Sequence, residues 1–335
     1  VQERVGRGAA VAGSVPAMGR PRSASEAARR RQFLDRLAAV LGVPRHQAEA
    51  LLSLERRRAV RVNRLRVGDT GALLADLAAA GFLLDPIGWC PDAYFLRGDL
   101  APLAASPFFA SGQVFIQNSS SFVPVLALDP QPGDTILDIA AAPGGKASHV
   151  AAIVGNQCEL WVNDPLAPRR QKLAEVVATL GVRVAGTTSH PGQYIDRHLE
   201  PRFDRILLDA QCSGEGQLDL RHPGALRYWS LARVHKYARL QQRMLMAAFK
   251  LLRPGGTLVY STCTFAPEED EHPVDHLVRH AAGARVVPID VDAPGRRPGL
   301  RSWEGRAFGA QLAHAVRITP SEAMEGFFVA RITKS

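Results

Sequence analysis

Two cysteines and one carboxylate stand where apolar runs of this chain break off. Leu207-Leu208-Asp209-Ala210-Gln211-Cys212-Ser213-Gly214 reads as a buried strand ending on an acid and a thiol. Tyr260-Ser261-Thr262-Cys263-Thr264 is another, ending on a second thiol. A third, Leu137-Asp138-Ile139-Ala140-Ala141-Ala142-Pro143-Gly144-Gly145-Lys146, breaks into a glycine turn. Ligands in parallel α/β sheets bind beyond the carboxyl ends of the strands, so the three ends are expected to share one crevice. A lone cysteine is usually an inert small hydrophobe. Two at strand ends, one just behind an acid, point to a site. One chemistry needs two thiols and an acid near a methyl donor: carbon methylation of a pyrimidine. A thiol must add to carbon 6, because carbon 5 of cytosine is otherwise not nucleophilic. An acid must stabilise the protonated ring nitrogen 3, and a base must remove the carbon 5 proton so that the thiol can leave.

The glycine turn suits a nucleoside cofactor. Its glycines let the backbone approach a ligand closely, and the helix that follows offers unpaired N–H groups to an anionic end. It is neither an NTP phosphate loop nor Gly-x-Gly-x-x-Gly. Asp164, at the end of the next strand, stands where a carboxylate would hold ribose hydroxyls. An ordinary tight turn with a surface Asp is the bland alternative.

The elements that must position these residues follow from the patterning. The chain has 335 residues, 46% of them hydrophobic, enough for one α/β domain and a smaller one. No apolar run is long enough to cross a bilayer, and no secretory leader is read. Four scattered cysteines without Cys-x-x-Cys spacing argue against zinc or a disulfide framework, so no metal is expected and a reducing cytoplasm fits. The formal net charge is +9, with arginine concentrated before residue 70, which suits phosphate partners. Residues 1–23 read as a disordered Gly/Ala/Arg-rich tail. Residues 24–105 read as a small α+β module: two helices, the alternating strand Val60-Arg61-Val62-Asn63-Arg64-Leu65-Arg66 with a cationic outer face, a helix near 70–80, and extended segments at 82–84 and 93–96. From 106 to 335, strands near 135–139, 159–163, 182–186, 204–209 and 256–262 alternate with helices near 145–154, 168–180 and 232–252, as in a parallel sheet. Gly326 to Ile332 reads as an antiparallel strand closing that sheet. No further C-terminal domain is expected.

The combination resembles the RNA cytosine-5 methyltransferases of the Sun/Fmu type, closest to the bacterial ribosomal-RNA branch. The resemblance runs from about Phe33 to Lys334. It is carried by Arg61-Val62-Asn63-Arg64-Leu65, by Trp89-Cys90 with Tyr94, and by Ile116-Gln117 with Ser119-Ser120-Ser121. Asp138 to Lys146, Asp209 to Gly214, Tyr260 to Thr264 with Pro267-Glu268-Glu269, and Gly326 to Ala330 complete it. It implies a Rossmann-like seven-stranded S-adenosylmethionine methyltransferase sheet, with a small N-terminal α+β RNA-binding module. By the same resemblance Cys263 is the nucleophile, Cys212 assists product release, Asp209 holds ring nitrogen 3, and Lys146 pairs with Asp209 or the base. Asp138, Ala140, Ala141, Ala142, Pro143, Gly144, Gly145 and Lys146 would line the cofactor's methionine end and Asp164 its ribose, with Arg169 and Asp209 completing the cofactor set.

The implied substrate is ribosomal RNA first and transfer RNA second, with no membrane partner and a monomeric chain in the cytoplasm. Arginines near 56–66 would hold backbone phosphates. Three departures stand out: Gln211 replaces a usual proline, Ser189-His190 stand where an Asp usually reads adenine, and Gln217 to His222 replace a Met-Phe-Arg-Lys run. The rivals are a DNA cytosine-5 methyltransferase, which carries its nucleophile on the Asp209-equivalent strand, and an inactive RNA-binding assembly factor.

Overall fold

A computed structural model describes residues 24–335, so the tail read at 1–23 lies outside the described residues. Helix α1 (Ala24–Leu41) follows the apolar spacing of Phe33, Leu34, Leu37, Val40 and Leu41, all buried, and stops at Gly42, whose φ of +62° favours glycine. Helix α2 (Arg45–Leu51) packs back on it. A four-stranded antiparallel sheet comes next: β1 (Arg58–Val62), β2 (Leu84–Pro86), β3 (Ala93–Leu96) and β4 (Val114–Gln117), in the order β2-β3-β1-β4. Helix α3 (Thr70–Ala79) is capped by Asp69, whose carboxylate accepts from Ala72 N at 3.1 Å. Short helices α4 (Leu100–Ala104) and α5 (Pro107–Ala110) precede β4. Strand β4, which the sequence reading places at the entrance to the second domain, pairs with β1 instead, so this sheet reaches to Gln117.

Strand β1 corrects one expectation. Its alternation of apolar and basic residues predicts a cationic outer face over 60–66, yet the strand ends at Val62 and Arg61 and Asn63 are 1% and 0% exposed. Exposed arginines stand at its start, Arg58, and beyond its end, Arg64 and Arg66. As a central strand it is covered on both faces. The Asn63 amide donates to Gly112 O and Leu180 O (2.8 and 2.9 Å), and Arg61 donates to Ser148 Oγ at 2.8 Å. These polar side chains weld the two parts of the chain together; they do not face a partner.

The large sheet is built from β5 (Thr135–Asp138), β6 (Glu159–Asn163), β7 (Gly186–Thr188), β8 (Phe203–Asp209), β9 (Leu252–Thr262), β10 (Ala284–Val287) and β11 (Arg296–Pro298). A hairpin of β12 (Ser302–Trp303) and β13 (Arg306–Ala307) stands apart, and β14 (Val316–Ile318) and β15 (Phe327–Lys334) complete the sheet. The order is β11-β14-β15-β9-β8-β5-β6-β7, with β10 also paired to β15. Strands β5 to β9 run parallel, and β15 is antiparallel to β9. Among the described residues the sheet has nine strands where seven are expected, because β14 and β11 extend it past β15. Strand β15 is therefore interior and closes no edge. The strand expected at 182–186 forms at 186–188, where Gly186 lies opposite the bulky Trp161.

Helices α6 (Val123–Leu128), α7 (Gly145–Ile153), α8 (Ala167–Leu180), α9 (Leu231–Leu251) and α10 (Glu271–His280) cover the two faces over two apolar cores. Successive strands leave β5 in opposite directions, to β6 on one side and β8 on the other. That switch point is where a doubly wound sheet opens a crevice for ligands.

Candidate active site

Strands β8 and β9 are parallel neighbours in register, Asp209 opposite Ser261, so the residues just past their ends come together. Cys212 Sγ and Cys263 Sγ lie 3.2 Å apart. Lys146, on the first turn of α7, donates from Nζ to Asp209 Oδ2 at 2.6 Å, and Ser261 Oγ donates to Asp209 Oδ1 at 2.6 Å. Thus all four residues expected to carry the chemistry converge: two thiols, a carboxylate and an ammonium. Of the two alternatives left open for Lys146, the structure shows the pairing with Asp209. Burial pulls the Lys146 pKa down, but the charges of Asp209, Asp138 and Cys263 outweigh it and the ammonium is held above its ordinary value. The hydrogen bond to Cys263, then burial, hold the Cys212 thiol well above its usual range.

The loop that carries Cys212 is anchored at both ends by residues that the sequence reading gave no role. Gln241 on α9 donates to Gln211 O at 2.9 Å, and Ser213 N donates to Glu269 Oε2 at 2.9 Å. Gln241 also donates to Glu269 Oε2 at 2.9 Å, and Ser213 and Thr264 hydroxyls meet at 2.7 Å. Gln211 in place of proline therefore leaves the loop fixed. Burial pushes the Glu269 carboxyl up to about 8, although Ser213 and Gln241 oppose it. Glu215 is a second buried acid here, accepting from Trp229 Nε1 at 2.6 Å and from Phe265 N at 3.2 Å. Pro267-Glu268-Glu269 was visible as a motif, but nothing in its spacing marks Glu269 as the tether of a loop 56 residues earlier.

Around the turn, Asp138, Ala140, Ala141, Ala142, Pro143, Gly145, Lys146 and Asp209 line one cavity of about 460 Å³, within the usual size of a small-molecule site. Asp138 is 1% exposed; one carboxylate oxygen accepts from Ala140 N at 3.3 Å and the other has no partner. Burial pushes it up to about 7 against the pull of Lys146. Gly144 packs against Leu173 and Val176 of α8 at a φ of +115°, where a side chain would be strained and tightly crowded. Asp164 is 3% exposed and accepts from Leu166 N at 3.0 Å and from Arg169 Nε at 2.9 Å. Arg169 also donates to Ala142 O at 2.8 Å, bracing the turn against Asp164. Asn163, missed in the sequence, ties the crevice together: its amide donates to Ile139 O and His190 O and accepts from His190 N. The His190 ring stacks on His198 with centroids 4.0 Å apart.

A family model described as 16S rRNA methyltransferase RsmB/F matches residues 125–333. The chain belongs to that family. It is 36% identical over 285 residues to a ribosomal RNA small subunit methyltransferase F of Cronobacter sakazakii, covering 83% of this chain but only 57% of that protein. It is 35% identical over 280 residues to a tRNA (cytosine(49)-C(5))-methyltransferase of Pyrococcus abyssi, covering 83% of this chain and 88% of that one. Among solved structures, a methyltransferase homologue from Pyrococcus horikoshii matches with a TM-score of 0.74 and 28% identity, covering 91% of this chain and 99% of that chain. The RsmB/F match takes in every sheet strand from β5 to β15, and with them both thiols and the turn.

Proposed function

We propose that the chain transfers a methyl group from S-adenosylmethionine to carbon 5 of a cytosine in RNA through a covalent Cys263–cytosine adduct. The observation that carries this reading is the pair of thiols 3.2 Å apart, beside an Asp209 held by Lys146. The sulfonium supplies an electrophilic methyl group when bound. The turn from Ala140 to Lys146 and the unpartnered oxygen of Asp138 suit a compact polar and cationic group, and Asp164, braced by Arg169, would hold the ribose. His190, on its flat stack with His198, takes the place of the missing adenine-side acid.

The reaction follows from the remaining residues. Cys263 Sγ gives up its thiol proton and bonds to carbon 6 as the carbon 5–carbon 6 double bond opens, while nitrogen 3 takes up a proton and Asp209, steadied by Lys146 and Ser261, holds it there. Once carbon 5 carries the new methyl, its proton goes to a base, the double bond reforms and the Cys263–carbon 6 bond breaks. Cys212 fits that step. The main reason its thiol is hard to ionise is Cys263 itself, by hydrogen bond and charge. When Cys263 becomes a neutral thioether, that hindrance is gone and Cys212 ionises more readily beside the adduct.

Ribosomal RNA is the substrate proposed first, and transfer RNA second, a reading that the Pyrococcus abyssi relative favours. Residues up to Gln117 serve as the RNA-binding module in this reading, and the protein works in the cytoplasm. Among the described residues no helix is long and apolar enough to cross a membrane. The test is methyl transfer from labelled S-adenosylmethionine to ribosomal RNA, immature ribosomal particles and transfer RNA. Wild type is expected to label RNA, Cys263→Ala to be inactive, and Cys212→Ala to accumulate a covalent RNA–protein adduct. Wild type that binds RNA and cofactor yet labels nothing would leave only an assembly role.

A further inference from the structure

The cavity at the glycine turn, lined by Lys146 and Asp209, has a wall that comes from outside the methyltransferase sheet. Gln117 ends β4 and pairs in register with Ala59 of β1, so Gln117 and Arg58 leave the N-terminal sheet side by side. Both line the cavity that holds Lys146, Asp209 and the turn. The two polar atoms of the Gln117 amide are buried, and among the described residues neither has a hydrogen-bond partner. An amide buried with both donor and acceptor unused demands an explanation in a native fold, since such groups are nearly always paired. A partner that arrives with the substrate supplies one.

Arg58 adds a second, independent observation. The other arginines of this stretch are paired within the protein: Arg56 to Leu218 O and Glu325, Arg57 to Asp85, Arg61 to Ser148, Arg64 to Thr70 and Asp92, and Arg66 to Ala178 O and Thr179 O. Arg58 is exposed and, among the described residues, has no carboxylate or carbonyl partner. It also lines a neighbouring open groove of about 840 Å³ that shares Arg58, Leu100, Asn118 and Gln217 with the cavity at the turn. A free guanidinium where a groove meets that cavity suits a phosphate beside an extruded nucleotide.

We propose that Gln117 and Arg58 form the substrate-reading wall of the site: the Gln117 amide hydrogen-bonds the Watson–Crick edge of the extruded cytosine next to nitrogen 3, and Arg58 binds the adjoining phosphate in the groove. This rests on the RNA cytosine methylation proposed above. A base offers donors and acceptors along that edge, of which Asp209 takes one; a neighbouring amide takes the next. The cofactor is the competing partner for Gln117, whose amide oxygen lies close against Gly145 of the turn, and the cofactor Kd measured below separates the two.

The variants are Gln117→Met, which keeps the bulk and removes the amide, Gln117→Ala, Arg58→Ala and Arg58→Lys. Steady-state kinetics on RNA, equilibrium binding of labelled S-adenosylmethionine and thermal melting are measured for each. Both Gln117 variants are expected to lose 10- to 100-fold in kcat/KM for RNA, by the rule that a site built to hydrogen-bond a polar edge depends on it. Their cofactor Kd should stay within about threefold of wild type, and Gln117→Met should melt no lower. Arg58→Ala is expected to raise KM for RNA about tenfold with kcat unchanged, and to reduce the slope of log affinity against log salt by about one; Arg58→Lys should restore most of both. RNA turnover by Gln117→Met within threefold of wild type, a tenfold weaker cofactor Kd with RNA kinetics intact, or an unchanged salt slope in Arg58→Ala would each overturn the assignment. Wild type that transfers no methyl to RNA is a different result, and it removes the underlying reaction together with this wall.

Discussion

At the scale of single residues, the proposed reacting groups were legible because two thiols and an acid stand at strand ends and a lysine closes the glycine turn. Cys212, Cys263, Asp209 and Lys146 could be named from the chain alone, and they meet. Glu269 could not, because its role is set by a partner far away in sequence. Its buried carboxyl, held up to about 8, makes a distinct pH signature. An acid whose folded value lies above its unfolded one favours the fold at low pH, and that contribution is lost as pH rises through the folded value. For Glu269 the window is from about pH 5 to 8, with a slope of at most about 1.4 kcal/mol per pH unit. Glu269→Gln keeps an acceptor for Ser213 N and Gln241 and cannot ionise. Denaturant unfolding at pH 5, 6.5 and 8 should show a smaller fall in stability for the variant than for wild type. The variant should be the more stable of the two at pH 8 by at least about 1 kcal/mol. Equal slopes would mean that Glu269 is ionised at neutral pH.

At the scale of elements, the parallel strands and helices α1, α2, α3, α7, α8 and α9 were read within a few residues, because a 3.6-residue period and short apolar runs encode them directly. Helices α4, α5, α6 and α10 were not read. Strand β1 was misread because its period suggests a half-exposed strand, while the second face is covered by another part of the chain. Burial lowers the Arg61 pKa to about 10, and two of its three side-chain nitrogens have no partner. The ring of Phe115 lies 5.9 Å from its guanidinium. Such a cation adds little net stability, since desolvation offsets most of the attraction it gains. Arg61→Met, which fills the same space, should therefore change unfolding free energy by less than about 1 kcal/mol. Arg61→Ala opens a cavity and should cost about 3 kcal/mol. Neither should alter the salt slope of RNA binding, in contrast to Arg58→Ala. A reduced slope in Arg61→Met would return this residue to the RNA-facing surface that the sequence suggested.

At the scale of the whole molecule, the N-terminal helices do more than precede the catalytic part: they roof the loops that bear both thiols. Phe33, Leu34 and Leu37 of α1 share a core with Leu220, Leu226, Trp229 and Phe265. The Phe33 and Trp229 rings meet edge to face at 5.3 Å. No local pattern could announce this, because each side looks like an ordinary apolar stripe until the other is known. The clamp on that roof is Arg36, whose Nη2 donates to both oxygens of Glu268 at 2.7 and 2.8 Å, while Trp303 Nε1 donates to the same carboxylate at 3.2 Å. Burial works to raise the Glu268 pKa, but Arg36 outweighs it and the carboxylate is held below its ordinary value. Its contribution is thus present above the unfolded value and lost as pH falls through the folded one. Arg36→Ala strands a largely buried carboxylate five residues after Cys263. It should cost about 2–3 kcal/mol, less than a fully buried pair because Arg36 keeps some solvent contact. The double variant Arg36→Met/Glu268→Gln removes the stranded charge with the pair and should recover most of that loss. If the roof also holds the Cys263 loop in its reactive geometry, kcat for RNA falls in Arg36→Ala and returns with stability in the double variant. Stability that recovers while kcat stays low would mean that the clamp acts on the reaction directly; kcat unchanged in both would confine it to folding.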